Sequence, residues 1–402
     1  MHTAAAAWAD YRRVWAAHST STFGDQLTLI ALPLAVFIRT DSPFAVGVVS
    51  SMEAVTAVAF GMIAGALADR MSHRRVLLAT DLARAVALAG LAAVVVVDDY
   101  PVWALYAGAA VLGALRVLHD AAASAVLPLL VEGPDLLRAN GQMNASEAAA
   151  NAVGPALAGG LIAAGGPALA LGVDAVSFAG SGGVVSLIRR LDHEESGRDD
   201  APASALWADV TAGLRALAQD RWMLWALAMA MAMNVVAVAA EGQFIPYAKD
   251  VLDIGALGIG AYWALGGTAA VATSLVAGRY ETARGDIVVA GLALFSAGVF
   301  VAGMVPSLWS AALAYVCVGV GSALVITHVA SLRQRRFPVR MQGRVSMAAR
   351  TAMLLLVPPA HIGGGALASA AGSEALFVAT ASVGLAAAAA GVAGGLLRLR
   401  TH

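Results

Sequence analysis

The sequence predicts an all-α integral membrane protein with twelve transmembrane helices in two six-helix pseudo-repeat lobes, and three observations carry that prediction. Of its 402 residues, 60% are hydrophobic and only 13% charged, with a mean hydropathy of +0.77, which excludes an ordinary soluble globule. Roughly twelve apolar runs have the length of about 17 to 25 residues that a helix needs to cross the hydrocarbon core. When those runs alternate, the arginines collect on one side.

In chain order, the first six runs are about Val14–Ile38, Phe44–Leu67, Val76–Val97, Val102–Ser124, Gln142–Ala164 and Ala168–Ile188. From Arg189 to Arg221 the chain turns polar, with the charged run DHEESGRDD, and its later part, Ser204 to Leu217, has the pattern of an amphipathic helix lying on a membrane. Six further runs follow, about Trp222–Tyr247, Leu257–Ala277, Ile287–Val305, Leu308–Leu332, Val345–Ala368 and Ala375–Leu397. The expected domains are therefore an N-terminal lobe over 1–188, a linker over 189–221 and a C-terminal lobe over 222–402. A count of eleven, losing one of the glycine- and alanine-rich late runs, would put the termini on opposite sides.

With twelve spans, Arg12, Arg13, Arg70 to Arg75, Arg138, Arg189 to Arg221, Arg279, Arg284, Arg333 to Arg344, Arg398 and Arg400 share one side, and only Arg39 and Lys249 take the other. The positive-inside rule then places both termini and the linker in the cytoplasm. The N-terminal run begins after Arg12 and Arg13 and carries Asp25 and Pro33, unlike a cleavable signal. Cys317, alone in an apolar run, reads as a packing residue and excludes an internal disulfide or a cysteine-rich metal site. The alanine- and arginine-rich composition, with Lys249 the sole lysine, fits a bacterial chain, so a bacterial inner membrane is the expected location.

The most specific stretch is Gly61 to Arg75, GMIAGALADRMSHRR, which sits between the second and third runs. Gly61, Ala64, Gly65 and Ala68 recur every three or four residues, so one helix face can approach a neighbour's backbone closely. Asp69 at the end of that face can meet a positive helix terminus or an arginine, a latch chemistry, or Arg70, Arg74 and Arg75 simply mark the cytoplasmic side. Gly65 to Arg75 resembles the hairpin signature G-x-L-x-D-R-x-G-R-R of the major facilitator superfamily, with Ser72 at its second glycine. The whole chain is similar to the drug-exporter branch of that family, which includes macrolide efflux proteins and the enterobactin exporter. The resemblance implies the major facilitator fold and a gating role for Gly65, Asp69, Arg70, Arg74 and Arg75. The corresponding stretch of the second half, Ala277 to Arg284, has Gly278 in place of the acid, so its latch is degenerate or it is a plain basic loop.

Intramembrane charges are costly, about 2.5 to 3.5 kcal/mol each at a helix centre on insertion scales, so they face the interior and mark function or a structural hydrogen bond. Asp25 lies near the middle of the first run, Glu53 in the outer half of the second and Glu241 in the outer half of the seventh. All three are candidates for taking up and releasing coupling protons. Asp174 reads as a packing or capping acid. In the fifth run Asn140, Asn144, Glu147 and Asn151 are spaced four, three and four apart, a polar stripe that lines a cavity or bonds to neighbouring helices. The stripe ends at Gly154 and Pro155, where a bend is expected. Gly154 to Gly160 resembles the exporters' antiporter signature G-P-x-x-G-G, with Ala158 at the first paired glycine and Gly159 at the second. In the fourth run Arg116, ahead of His119 and Asp120, resembles the exporters' R-x-x-Q-G-x-x-A signature, whose arginine is associated with proton transfer. Held among Asp25 or Glu147 it would govern their protonation; as an interfacial residue it would only snorkel.

Asn234 and Glu241 share a face of the seventh run with Met229, Met231, Met233 and Phe244 nearby, and Tyr262 and Trp263 follow in the eighth; these suit an amphiphilic ligand or plain packing. A phosphate loop is excluded because the sole lysine is followed by Asp250, and no H-E-x-x-H or serine-hydrolase motif occurs. The expected protein is thus not an enzyme, needs no cofactor or metal, and has no nucleic-acid partner. It is expected to act as a monomer in the lipid bilayer, exporting a small amphiphilic substrate in exchange for protons. The alternatives are a metabolite carrier of the same fold and a non-transporting receptor or scaffold.

Overall fold

The computed structural model describes residues 2–97, 99–131, 134–188, 203–277 and 284–398, and within them the side chains other than those of 2–7, 62–63, 65–66, 68–70, 125, 128, 134, 137, 203–210 and 339–340. The helices are α1 (His2–Thr40), α2 (Pro43–Arg70), α3 (His73–Val95), α4 (Val102–Leu130), α5 (Pro134–Ser186), α6 (Ala203–Gln219), α7 (Arg221–Gly242), α8 (Phe244–Pro246), α9 (Ala256–Ala277), α10 (Gly285–Met304), α11 (Leu308–Arg336), α12 (Val339–Ala371) and α13 (Ser373–Ala393). Eleven helices among the described residues are long and apolar enough to cross a membrane. One of these, α5, is 53 residues long and is broken at Gly165 (φ −151°, ψ 21°) and Gly166 (φ 73°, ψ 179°). Gly166 supplies a backbone angle that a side chain disfavours, and Pro167 then restarts the helix, so α5 makes two passes and the total is twelve.

Large apolar side chains face outward along these helices. Val86, Val176, Leu275 and Trp309 are among the exposed ones, Trp309 at 86%. That is the surface of a lipid-solvated protein, not a water-solvated one.

Two compact units are present. The first comprises 1–41, 52–200 and 256–261; the second comprises 42–51, 201–255 and 262–402. Compared with the lobes read from the sequence, the start of α2 belongs with the second unit, as does α6, and the start of α9 belongs with the first. In the first unit α1 packs on α5 and α4, and α3 packs on α4 and α5. In the second, α7 packs on α12, α13 and α11, while α10 packs on α11 and α13. The pairings repeat with a shift of six spans, as a duplicated half requires.

Glycines set the closest approaches. A Cβ at Gly159 would come within 2.5 Å of the Ala256 carbonyl oxygen and 3.2 Å of Gly260 Cα, so α5 and the start of α9 cross backbone to backbone. In the second unit a Cβ at Gly365 would lie 2.8 Å from the Pro43 oxygen and 3.3 Å from Gly47 Cα, a second crossing of the same kind. The helix α5 runs through Pro155 with helical backbone angles, and its break lies ten residues later, where the paired glycines leave the backbone unrestrained. The bend expected at Pro155 is therefore not where the helix is interrupted.

Candidate functional site

The interior of the first unit carries the polar chemistry. Asp25, on α1, pairs with Arg84 of α3. The Arg84 guanidinium also lies 3.9 Å above the ring of Phe178 on α5, and the residue is 6% exposed. The cation thus has an aromatic face beneath it and a carboxylate at one edge, while its Nε is buried without a hydrogen-bond partner. Close by, Asp174 is fully buried and accepts hydrogen bonds from Thr28 Oγ1 at 2.5 Å and Ser177 Oγ at 3.0 Å. Gly24 makes this possible: a Cβ there would collide with the carboxylate of Asp174 and the hydroxyl of Ser177.

One turn from Arg84, Asp81 is fully buried as well. It accepts from Ser181 Oγ at 2.7 Å and lies 3.2 Å from His119 Nδ1 on α4, which also meets Thr80 Oγ1 at 3.2 Å. Asp81 and Arg84 are three residues apart on α3, so one face of that helix presents an acid and a base to α1, α4 and α5. Two fully buried carboxylates, Asp81 and Asp174, the partly buried Asp25, the buried Arg84 and His119 thus lie on neighbouring spans of one unit, Asp81 and Asp174 each holding a hydroxyl.

Three further polar contacts sit nearer the surface. Arg116 Nη1 meets Glu53 at 2.8 Å, and its Nε lies 3.9 Å from Asp120, all three side chains being about half exposed. His18 Nε2 lies 3.3 Å from Glu147. Gly113 lets α4 and α2 close on each other, since a Cβ there would reach 2.9 Å from Glu53 Cα. Along the α1–α5 seam, Trp15 Nε1 donates to Ser146 Oγ at 2.9 Å, the hydroxyls of Ser19 and Ser146 meet at 2.9 Å, and Gln26 Nε2 donates to Asn151 at 2.8 Å.

The sequence-predicted residues distribute as follows. Asp25, Glu53, Arg116 and Glu147 all fall in the first unit, but Arg116 makes its ion pairs with Glu53 and Asp120, and the arginine that holds Asp25 is Arg84. Asn151 is bonded to Gln26, while Asn144 is exposed and Asn140 returns its amide to the Leu136 carbonyl at 2.9 Å. Gly154 abuts Gln26, whose Cβ would be 2.6 Å from an added Cβ. In the hairpin, Arg74 donates to the Ser186 carbonyl and Arg75 is exposed. The side chains of Asp69 and Arg70, and the position of Gly65 beyond its helical backbone, lie outside the described residues, as do residues 278–283 of the second hairpin.

Glu241, Asn234, Phe244, Tyr262 and Trp263 fall in the second unit. Phe244 joins Tyr315 (4.6 Å between ring centres), Tyr262 (5.8 Å) and Tyr247 (6.2 Å), and Tyr247 joins Phe377 (4.7 Å). The hydroxyl of Tyr247 donates to the Ala302 carbonyl at 2.7 Å and that of Tyr262 to the Leu308 carbonyl at 2.9 Å. The cavity that Phe244, Tyr247, Tyr315 and Phe377 enclose with Glu241 measures about 30 Å³. That admits one water, against the roughly 300 Å³ or more of a ligand pocket, so Phe244 forms packed core rather than an open substrate wall. Asn234 donates to the Met353 carbonyl at 3.3 Å, an interhelical tie, and Trp263 is half-buried.

Asp81, Arg84 and Thr28 do not stand out in the sequence, and His119 does so only beside Arg116. The available signal was an acid and an arginine three residues apart inside the third apolar run.

Several comparisons bear on this arrangement. A family model described as Major Facilitator Superfamily matches residues 14–357. The nucleoside transporter NupG has a similar structure, with a TM-score of 0.72 at 12% identity, covering 96% of this chain and 99% of that one. The POT family transporter PepTSo gives 0.72 at 12% identity over 96% and 97%, and a bacterial metal transporter gives 0.66 at 15% over 96% and 98%. At such identities the likeness is one of fold. No curated protein matches the sequence.

Proposed function

Because the chain belongs to the Major Facilitator Superfamily, a family of transporters, we propose that it is a secondary carrier of the drug-exporter branch that moves a small amphiphilic molecule out of the cell in exchange for protons. The observation that carries the reading is the Asp25–Arg84 pair inside the first unit, with Asp174 and the Asp81–His119 pair beside it. A carboxylate that exchanges an arginine partner for a proton is a coupling device, and the Asp25–Arg84 pair offers such a carboxylate inside the first unit. Glu53 with Arg116, Glu147 with His18, and Glu241 supply further exchangeable sites. Alternating access would come from rocking of two six-helix lobes about a midplane cavity, with the hairpin of Asp69 to Arg75 as the latch. The expected setting is a bacterial inner membrane with both termini cytoplasmic.

The test is proton release from the purified protein in detergent near pH 7 on adding a panel of lipophilic drugs and siderophores. Release that disappears in Asp25→Asn supports antiport and identifies the substrate class. Saturable drug binding without release in the native protein removes antiport. A second reading, carriage of a polar metabolite, draws on the transporters of nucleosides and oligopeptides among the structural neighbours. Under it, such metabolites and not the drugs give the response.

A further inference from the structure

A pocket of about 320 Å³ opens where the N-terminal end of α1 meets the start of α5, lined by Trp8, Arg12, Trp15, Ala16, Arg138 and Gln142. Its depth in the membrane follows from length. The apolar part of α1, Trp8 to Thr40, has 33 residues. At ~1.5 Å per residue this is about 50 Å, against ~30 Å of hydrocarbon, so the first turns of α1 lie among headgroups. Tryptophan and arginine are the residues that such a level favours.

The walls are held in place. The Arg138 guanidinium lies 5.4 Å over the Trp8 ring, a cation–π contact that orients the indole. Trp15 is anchored through Nε1 to Ser146 Oγ at 2.9 Å. Arg12 has no ion-pair or hydrogen-bond partner among the described residues, whereas its neighbour Arg13 is tied to Asp10 at 2.8 Å and to the Leu187 carbonyl. No carboxylate lines the pocket among the described residues. Two arginines and two indoles without an acid make a receptor for an anion carried on an apolar body.

We infer that this pocket binds a phosphate ester, its phosphate between Arg12 and Arg138 and its carbon skeleton on the indoles of Trp8 and Trp15, the nearest source being the headgroup of an anionic phospholipid. Guanidinium forks match phosphate oxygens, and the headgroup level supplies such esters at high local concentration.

The experiment titrates full-length protein in uncharged detergent with phosphatidylglycerol, phosphatidylcholine and glycerol phosphate, reading bound lipid by native mass spectrometry. Phosphatidylglycerol is expected to bind saturably and more tightly than phosphatidylcholine. Arg12→Gln and Arg138→Gln should each weaken it about fivefold, the effect of one basic residue at an anionic surface, while Arg13→Gln, with the same loss of charge one residue away, changes it less than twofold. Displacement of the lipid by glycerol phosphate would show that the soluble ester is also a ligand of the site; resistance to it identifies the lipid as the ligand. Equal binding of the two lipids, or an Arg13→Gln effect as large as that of Arg12→Gln, overturns the site in favour of diffuse attraction. Arg12→Lys and Arg138→Lys, which keep the charge and lose the fork, guard against misfolding and should fall between.

Discussion

Arg84 of α3 holds Asp25 of α1 at its edge and lies over Phe178 of α5 at 3.9 Å, so a single buried cation ties three spans of the first unit together. Removing one partner of such a pair leaves the other as an uncompensated charge, whereas removing both does not. Arg84→Leu is therefore expected to destabilise the protein by about 3 to 5 kcal/mol, and Asp25→Leu combined with Arg84→Leu by clearly less than the sum of the single changes. Thermal unfolding of the four proteins in detergent checks this; additive losses would show that the pair is not coupled.

Gly24 leaves the space that Asp174 and Ser177 occupy. Gly24→Ala must push α1 away from α5 or break the bonds that Thr28 and Ser177 donate to a fully buried acid. A loss of about 1 to 3 kcal/mol is expected, read from the melting temperature, with Gly90→Ala as control because no atom stands within 4 Å of a Cβ at that position.

The two glycine crossings predict a similar steric cost with a different readout. Gly159→Val and Gly365→Val each drive a side chain into an opposing backbone, where no rotamer relieves the clash. Each should lower stability by about 1 to 3 kcal/mol and reduce transport in reconstituted vesicles, while Gly160→Val, with open space around it, should leave folding intact.

Asp220 caps α7, accepting from the Trp222 and Met223 N–H groups at 3.0 and 3.2 Å and from Arg336 at 2.5 Å. Burial by itself would raise its pKa, but the Arg336 hydrogen bond, the two N–H groups and the Arg336 charge together hold the carboxyl below the usual range. The unfolded chain consequently takes up this proton first. The stabilisation is complete above the ordinary carboxylate range of about pH 4 and is lost as pH falls through the depressed folded value. Asp220→Ala should cost about 0.5 to 2 kcal/mol at neutral pH, the range for a lost cap, and the gap between mutant and native melting temperatures should close under acid. A gap that stays constant to pH 3 would contradict the assignment.

Tyr247 spends its hydroxyl on the Ala302 carbonyl inside the aromatic cluster of the second unit. Tyr247→Phe keeps the ring and orphans that carbonyl, for an expected loss of about 1 to 3 kcal/mol in unfolding measurements. Transported substrates should be unchanged, because the cluster encloses only about 30 Å³.

The number of spans and the amphipathic α6 were readable from the chain alone, because the thickness of hydrocarbon and the cost of a charge act on each segment where it stands. Even the doubled passage hidden in α5 was visible as two apolar runs on either side of Gly165, Gly166 and Pro167. Partnership was not. Asp25 meets Arg84, 59 residues away, and not Arg116; Asp81 meets Ser181 and His119; Phe244 disappears into a packed cluster. Helices in lipid gain little from hiding apolar surface, so which ones pair is decided by close approach at glycines such as Gly24 and Gly159 and by the few polar groups that must find one another. Those choices depend on segments far apart in sequence and exist only once the tertiary structure has brought them together.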